Sequence, residues 1–117
     1  MSLTRIDYDL LNELSDILED EFPIIIDTFI ESASKLLSEL LVLLKEGNND
    51  LYILKIHSLK GSCRNIGATY LAELCMKEEM LAQKGLINLT DTSLELIAHE
   101  LEKTKKVLTS YPPYPSS

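Results

Sequence analysis

Tryptophan is absent from the 117-residue chain, cysteine occurs twice, and glycine and proline occur four times each. Two cysteines cannot build a disulfide framework, so Cys63 and Cys75 are predicted to be buried free thiols. The scarcity of glycine and proline, together with the lack of alternating apolar and polar residues, argues against a sheet with many turns. Leucine, a strong helix former, dominates the apolar residues. The composition therefore predicts one all-α domain.

Basic residues are also scarce, because 11 Lys and Arg stand against 19 Asp and Glu, a net charge of −8. This balance argues against nucleic acid as a partner, since such binding relies on Lys and Arg that neutralise phosphates. No apolar run reaches the length of a membrane span, and the N-terminus MSLTRIDYDL lacks the basic-then-apolar layout of a signal peptide. We expect a soluble, cytoplasmic protein with no membrane partner.

Motifs for nucleotide, metal and covalent chemistry are missing as well. The chain has no glycine-rich phosphate loop, no Gly-x-Ser-x-Gly elbow and no Cys–His nucleophile signature. His99, one of the two histidines, has no Cys, Asp or His at metal-ligand spacing and is predicted to lie at the surface. We therefore expect no cofactor, no metal site and no binding of ATP.

The chain does contain apolar residues at helical spacing, interrupted by short stop signals. Gly47-Asn48-Asn49 and Gly67 end two of these stretches, Asp50 is predicted to cap the helix between them, and Thr92-Ser93-Leu94-Glu95 forms a capping-box pattern. The pattern predicts an antiparallel up-down four-helix bundle with an additional N-terminal helix. The predicted ranges are about 7–20 for the N-terminal helix and about 23–46, 50–65, 68–84 and 92–108 for the bundle. Residues 1–110 would form one domain and residues 111–117 a proline-rich C-terminal tail.

The stretch IHSLKGSC at positions 56–63 combines an apolar face with a polar one. In a helix it belongs to an apolar seam whose members are spaced alternately four and three apart: Tyr52, Ile56, Leu59, Cys63 and Ile66. His57 lies about 100° round the helix from Ile56 and so points away from that seam. Residues three and four apart stack on one face, so His57 shares a surface row with Ile53, Lys60, Gly61 and Arg64.

Three residues of this row have chemical uses. His57 can act as a nucleophile through one ring nitrogen while the other nitrogen holds its tautomer. Lys60, one turn later, supplies a compact cation where a phosphoryl group on His57 would carry its charge. Gly61 costs roughly 1 kcal/mol of helix propensity, so a glycine there indicates that something large approaches the backbone. The row therefore predicts a phosphoryl-accepting site on a docking surface.

At these residues the chain resembles the histidine phosphotransfer (HPt) domain, the carrier module of multistep two-component phosphorelays. The family pattern, His-x-x-Lys-Gly-[Ser/Ala], then Gly-Ala, then Leu-x-x-Leu, is met by His57, Lys60, Gly61, Ser62, Gly67, Ala68, Leu71 and Leu74. The resemblance implies that His57 accepts a phosphoryl group from a receiver-domain aspartate and passes it to another receiver domain. The partners would be receiver domains of response regulators or of hybrid sensor histidine kinases, and Mg²⁺ would belong to the receiver. The protein itself would be a monomeric phosphocarrier without enzymatic turnover.

Two adjacent glutamates in the predicted helix 68–84 have different expected roles. Glu79 is turned about 100° from the inner face of its helix, and the resemblance implies that it partners His57. Its carboxylate would accept Nδ1–H and leave Nε2 free to attack, whereas an ordinary solvated glutamate is the alternative. Glu78 departs from the family pattern, because relatives commonly carry an apolar residue there. It falls on the inner face, where it is either a pocket-facing carboxylate or a side chain that reaches out to solvent.

The predicted docking surface consists of Gly61, Arg64, Ile53, Ile24 and Ile25. The last two isoleucines add to Ile26 within one turn, which is more apolar surface than one buried stripe requires. Contact with the N-terminal helix is the alternative explanation for them.

A rival function for the same surface is that of a non-phosphorylated helical adaptor, which regulates a kinase or receiver by binding alone. The intact set of His57, Lys60 and Gly61 argues against this rival, because a pure binder does not need a phosphoryl acceptor. Incorporation of phosphate distinguishes the two functions.

Overall fold

The computed structural model describes residues 5–87 and 92–112, which contain helices and turns and no β-strand. Within these residues the α-helices are α1 (Tyr8–Leu18), α2 (Phe22–Glu46), α3 (Asn49–Ile66), α4 (Thr69–Gln83) and α5 (Ser93–Ser110). A single 3₁₀ turn, Glu19–Glu21, joins α1 to α2. The predicted all-α class is confirmed, and the four predicted bundle ranges agree with α2–α5 to within one helical turn.

Two helix starts differ from the prediction. α3 begins at Asn49, and the side chain of Asn48, not that of Asp50, accepts the cap hydrogen bond from the Leu51 amide at 3.3 Å. Asn48 precedes the first helical residue, the position from which a side chain reaches the free amides of the first turn. Thr92 is the cap of α5, but its side chain makes no cap hydrogen bond, so the predicted capping box is not formed.

The helices α2–α5 pack as antiparallel neighbours around one core. Turns at 47–48 and 67–68 reverse the chain between α2 and α3 and between α3 and α4. Phe22, at the start of α2, packs against Tyr111, directly after α5, with ring centroids 5.8 Å apart. The core draws buried side chains from all four helices, including Ile26, Leu40, Ile56, Leu59, Leu71, Cys75, Ile97 and Leu101. No helix in the described part of the chain is long and apolar enough to cross a membrane.

The N-terminal segment is fixed to the turn between α3 and α4. The Asp7 amide donates to the Gly67 carbonyl at 2.8 Å, and the Asp7 side chain caps α1 by accepting from the Leu10 amide at 3.1 Å. Gly67 has a φ of +80°, and a Cβ there would lie 3.2 Å from the Asp7 carbonyl oxygen. Both the left-handed backbone and the close approach therefore favour glycine. Arg5 ties the same segment to α5 through Glu100, with Nε and Oε2 2.5 Å apart.

The first residue of the predicted C-terminal tail packs against the bundle. The ring centroid of Tyr111 lies 6.1 Å from that of Tyr8 in α1, and the Tyr111 hydroxyl donates to Asn12 Oδ1. Pro112 follows as an exposed residue, and residues 113–117 lie outside the described part of the chain. Tyr111 therefore belongs to the aromatic contacts that hold α1 against the ends of α2 and α5.

The two cysteines are buried and free, as predicted. Cys63 in α3 and Cys75 in α4 have no exposed surface, and both belong to the core. A hydrogen bond with Cys63 raises the pKa of the Cys75 thiol, and burial raises it further. Because the thiolate is the reactive form, this environment keeps Cys75 chemically inert.

Candidate functional site

The apolar seam and the polar row of α3 lie on different faces, as their spacing predicts. Tyr52, Ile56, Leu59 and Cys63 have no exposed surface. The His57 side chain, by contrast, keeps 64% of its surface exposed. α3 thus uses its seam to anchor itself in the bundle and presents the imidazole to solvent.

A glutamate on the neighbouring helix binds the inner side of this imidazole. Glu79 of α4 is 7% exposed, and its Oε2 lies 2.8 Å from His57 Nδ1. The antiparallel packing of α3 and α4 brings the two residues together, because each is offset from the inner face of its own helix. The alternative of a solvated glutamate does not fit this burial. The orienting role implied for Glu79 has the geometry that it needs, and it stays a prediction.

The same carboxylate binds Lys60. Lys60 Nζ donates to Glu79 Oε1 at 2.6 Å, and the Lys60 side chain is only 14% exposed. Burial raises the pKa of Glu79, but the hydrogen bonds from Lys60 and His57 outweigh this effect and lower it below its usual value. Glu79 is therefore ionised at neutral pH, with each oxygen bound to a different residue of α3.

The ionised state of Glu79 determines which nitrogen of His57 carries the proton. A carboxylate without a proton can only accept hydrogen bonds, so His57 Nδ1 must donate. In the neutral imidazole this leaves Nε2 with a lone pair, on a ring that is largely exposed. The arrangement can therefore support nucleophilic attack from Nε2 on an electrophile that arrives from solvent.

The position of Lys60 adds a contact to the compact cation that the sequence predicts beside His57. Its ammonium group is held against Glu79, although an ammonium has three N–H donors and one hydrogen bond to Glu79 uses only one of them. Lys60 can therefore contact a phosphoryl oxygen while it stays bonded to the carboxylate, or it can leave the carboxylate for the phosphoryl group.

Glu78 is the second buried carboxylate of α4, and it does not reach solvent. Its side chain is in the core at 1% exposure, and Tyr52 Oη donates to Oε2 at 2.5 Å. Of the two alternatives for Glu78, the structure therefore shows an inward-facing carboxylate. The partnership with Tyr52 was not predicted, although a tyrosine in an otherwise apolar seam is a signal, because a buried hydroxyl needs an acceptor.

Three of the predicted docking residues lie on the row that contains His57. A Cβ placed on Gly61 would meet nothing within 4 Å, so the surface is open there. Arg64 is exposed, and its Nη2 lies 3.8 Å from Met76 Sδ. Ile53 is partly buried against the core and contributes only part of its side chain to the surface.

The other two predicted docking residues lie farther away along the bundle. Ile24 is 61% exposed and Ile25 is 39% exposed, so burial against α1 does not account for either of them. The ion pair between Lys55 Nζ and Glu39 at 3.0 Å shows which residues of α2 and α3 lie side by side. At about 1.5 Å per residue, the two isoleucines lie roughly 20 Å along the bundle from His57. This distance along the bundle is shorter than the width of a partner surface of about 800 Å², which is roughly 28 Å across.

The described residues offer no group of three or more His, Cys, Asp or Glu side chains that could hold a metal ion. His99 is exposed on α5, as predicted. His57, Lys60 and Glu79 are joined by hydrogen bonds at the candidate site.

Comparisons with known proteins find a matching family model and similar solved structures. The model of the Hpt domain family matches residues 24–106. The structure is similar to that of histidine-containing phosphotransfer protein B from Pseudomonas aeruginosa PAO1, with a TM-score of 0.87 and 28% identity over 93% of this chain and 95% of that chain. It is also similar to a rice protein assigned to the histidine-containing phosphotransfer proteins, with a TM-score of 0.78 and 18% identity over 91% of this chain and 79% of that chain. A search of curated protein sequences finds no match.

Proposed function

Because the chain belongs to the Hpt domain family, we propose that it carries phosphoryl groups on His57 between receiver domains of a two-component phosphorelay. The observation that carries this proposal is the bond between His57 Nδ1 and the ionised Glu79, which leaves Nε2 with its lone pair on an exposed ring. Similarity to a histidine-containing phosphotransfer protein at 28% identity supports the same function.

In the proposed reaction, the Nε2 lone pair attacks the phosphorus of an aspartyl phosphate on a receiver domain. The bond from phosphorus to the aspartate oxygen breaks as the N–P bond forms, and the electron pair leaves with the aspartate carboxylate. The imidazole becomes cationic in this step, and Glu79 offsets that charge at Nδ1. Lys60 donates to the phosphoryl oxygens. Reversal of the same steps on a second receiver releases the phosphoryl group, and Mg²⁺ belongs to the receiver.

The remaining parts of the proposal follow from the carrier function. The protein acts as a monomeric phosphocarrier without turnover of its own, and its partners are the receiver domains of response regulators or of hybrid sensor kinases in the cytoplasm. Gly61, Arg64 and Ile53 form the docking surface beside His57. α1 is an additional N-terminal helix, and the hydrogen bond from the amide of its cap residue Asp7 to the Gly67 carbonyl supports a role in fixing the end of α3.

Transfer of labelled phosphate tests this proposal directly. The protein is incubated with phosphorylated receiver domains from the same cell and, separately, with phosphoramidate. We expect label on the protein that is labile in acid and stable in base, as a phosphohistidine requires. Binding to receivers without any label from either donor would contradict the carrier function and favour the adaptor.

We predict that Lys60→Ala slows transfer without eliminating it. The variant loses one charge-assisted hydrogen bond to a phosphoryl oxygen, which is worth roughly 1.5–3 kcal/mol and corresponds to a rate lower by on the order of tenfold to a hundredfold. The nucleophile stays in place. Transfer rates are measured at saturating receiver concentration, with Lys55→Ala as the matched control from the same helix. Equal rates for Lys60→Ala and wild type would remove Lys60 from the mechanism.

A second prediction concerns the pH dependence of stability. The pKa of Glu79 is lower in the folded protein than in the unfolded chain, so the unfolded chain takes up a proton first as the pH falls. The stabilisation from Glu79 is therefore complete above the ordinary glutamate pKa of about 4.3 and is lost between that pH and the lower folded value. Glu79→Gln has no carboxylate to titrate, and we expect it to be less stable than wild type by roughly 1–3 kcal/mol at neutral pH.

Urea denaturation at a series of pH values measures this difference. We expect the free energies of unfolding of wild type and Glu79→Gln to converge as the pH falls below about 4. Curves that stay parallel over the whole range would show that the Glu79 carboxylate is not held by Lys60 and His57.

A further inference from the structure

The hydrogen bond between Tyr52 and Glu78 lies next to the site without being part of it. Tyr52 is fully buried in the seam of α3, five residues before His57. Glu78 is buried on α4 and directly precedes Glu79. The hydroxyl donates to the carboxylate at 2.5 Å across the interface of the two helices. This bond therefore joins the same two helices as the bond between His57 and Glu79.

We propose that Tyr52 and Glu78 are positioning residues, which set the rotation of α4 so that Glu79 faces His57 Nδ1. This inference rests on the proposed function only for its consequence in phosphoryl transfer. The positioning itself is a property of the unphosphorylated protein and can be measured without any phosphoryl donor.

The argument starts from the geometry of α4. Successive residues of an α-helix are about 100° apart, so a fixed direction for Glu78 also fixes the direction of Glu79. Glu78 points into the core towards Tyr52, and Glu79 points to the edge where His57 meets solvent. A rotation of α4 that brought Glu78 to water would carry Glu79 away from the imidazole. The bond to Tyr52 opposes that rotation.

The Glu78 carboxylate is stable either in the core with a hydrogen-bond donor or in solvent. A carboxylate in an apolar core is costly unless it accepts hydrogen bonds, so loss of the hydrogen bond from Tyr52 would shift Glu78 towards solvent. An apolar residue at position 78 would stay in the core without any partner. The hydrogen bond from Tyr52 therefore helps to keep a glutamate at position 78 in the core, and the two residues act as a matched pair.

A second contact restrains the far end of the same interface. Asn49 Nδ2 donates to the Ala82 carbonyl at 3.0 Å, one turn beyond Glu78 along α4. This bond joins α3 to the backbone of α4, so it limits both separation of the helices and rotation of α4 at that end. Tyr52 and Glu78 restrain the rotation of α4 closer to Glu79.

The test compares the imidazole of His57 in wild type, Tyr52→Phe and the double variant Tyr52→Phe with Glu78→Leu. The ¹⁵N chemical shifts of the ring distinguish a protonated Nδ1 from a protonated Nε2 at fixed neutral pH. We expect a protonated Nδ1 in wild type, a mixture of tautomers in Tyr52→Phe, and the wild-type pattern again in the double variant, because replacing both partners by apolar groups restores a consistent core. Tyr70→Phe, on the more exposed surface of α4, is the matched control and should match wild type.

Phosphorylation by phosphoramidate gives the functional readout. We expect the rate for Tyr52→Phe to fall roughly tenfold and to recover in the double variant, as for other residues that orient a reactive group through a neighbour. If wild type takes up no phosphate, the proposed function fails. The ¹⁵N chemical shifts of the His57 ring would still show whether Tyr52 and Glu78 position Glu79 against Nδ1.

A folded Tyr52→Phe variant in which His57 keeps the wild-type tautomer would overturn the inference. A folded double variant in which His57 is still a mixture of tautomers would overturn it as well. If Tyr52→Phe does not fold, Glu78→Gln and Glu78→Leu replace it. The amide oxygen of Gln can still accept from Tyr52 and should preserve the wild-type tautomer. Leu stays in the core but removes this acceptor from the buried Tyr52 hydroxyl, and the hydroxyl's competition for another acceptor between α3 and α4 should disturb the tautomer. Identical spectra for these two variants would also overturn the inference.

Discussion

His57→Gln is expected to abolish phosphate acceptance and to leave the helical fold intact. The variant loses the only nitrogen that the site presents as a nucleophile, and an amide cannot replace it. The His57 side chain is 64% exposed and lies outside the core seam, so its removal creates no cavity. Label from phosphoramidate and from phosphorylated receivers measures acceptance, and circular dichroism measures helix content.

The matched control for this variant is His99→Gln, which changes the other histidine on the exposed side of α5. It should accept phosphate at the wild-type rate. Label on His57→Gln at the wild-type level would move the acceptor to another residue. Loss of both label and helix content would instead show that His57 has a structural role, most directly through its bond to Glu79.

The positions of the helices could be predicted from local signals, because each signal lies in the segment that it governs. Gly47 and Gly67 end α2 and α3 with φ values of +72° and +80°, conformations that favour glycine. The caps were harder to predict, because Asn48, Asn49 and Asp50 are all competent to cap a helix. Only the backbone path decides which of them stands just before the first turn.

The face that carries the site was also predictable, since helical spacing separates His57 from the buried seam. The partners of these residues depend on packing between helices. The approach of Glu79 to His57 was suggested by their matching offsets and by the family resemblance, whereas the hydrogen bond of Lys60 to the same carboxylate depends on a rotamer that spacing does not determine. A sequence pattern identifies the residues that share one face of a helix. The rotation of the neighbouring helix determines which of its side chains contact that face.

Glu78 illustrates the same limit. Its place on the inner face of α4 was predicted, but burial and exit to solvent were both open, because the outcome depends on an acceptor-seeking hydroxyl 26 positions earlier in the chain. A tyrosine and a glutamate that are both assigned to the inner faces of adjacent antiparallel helices are a joint signal. Considered one residue at a time, neither predicts the bond.

Gly61→Arg is expected to block transfer from receiver domains while leaving reaction with small phosphodonors largely intact. Gly61 lies one turn after His57 on the same row, so a long side chain there stands beside the nucleophile. The space above Gly61 is open, and a Cβ meets nothing within 4 Å, so the arginine fits without disturbing the bundle. A receiver must bring its aspartyl phosphate within bonding distance of Nε2, and the added bulk holds its surface away. Phosphoramidate is small enough to pass.

Three comparisons separate docking from other effects of this substitution. Gly61→Ala should raise the free energy of unfolding by up to about 1 kcal/mol and preserve transfer, because it adds helix propensity with little bulk. Leu96→Arg places the same side chain on α5, across the bundle from α3, and should transfer at the wild-type rate. Melting curves establish that every variant is folded. Equal losses with receiver and phosphoramidate would indicate a damaged site in Gly61→Arg, and no loss with either donor would mean that receivers dock on another face, away from the row that His57 shares with Gly61.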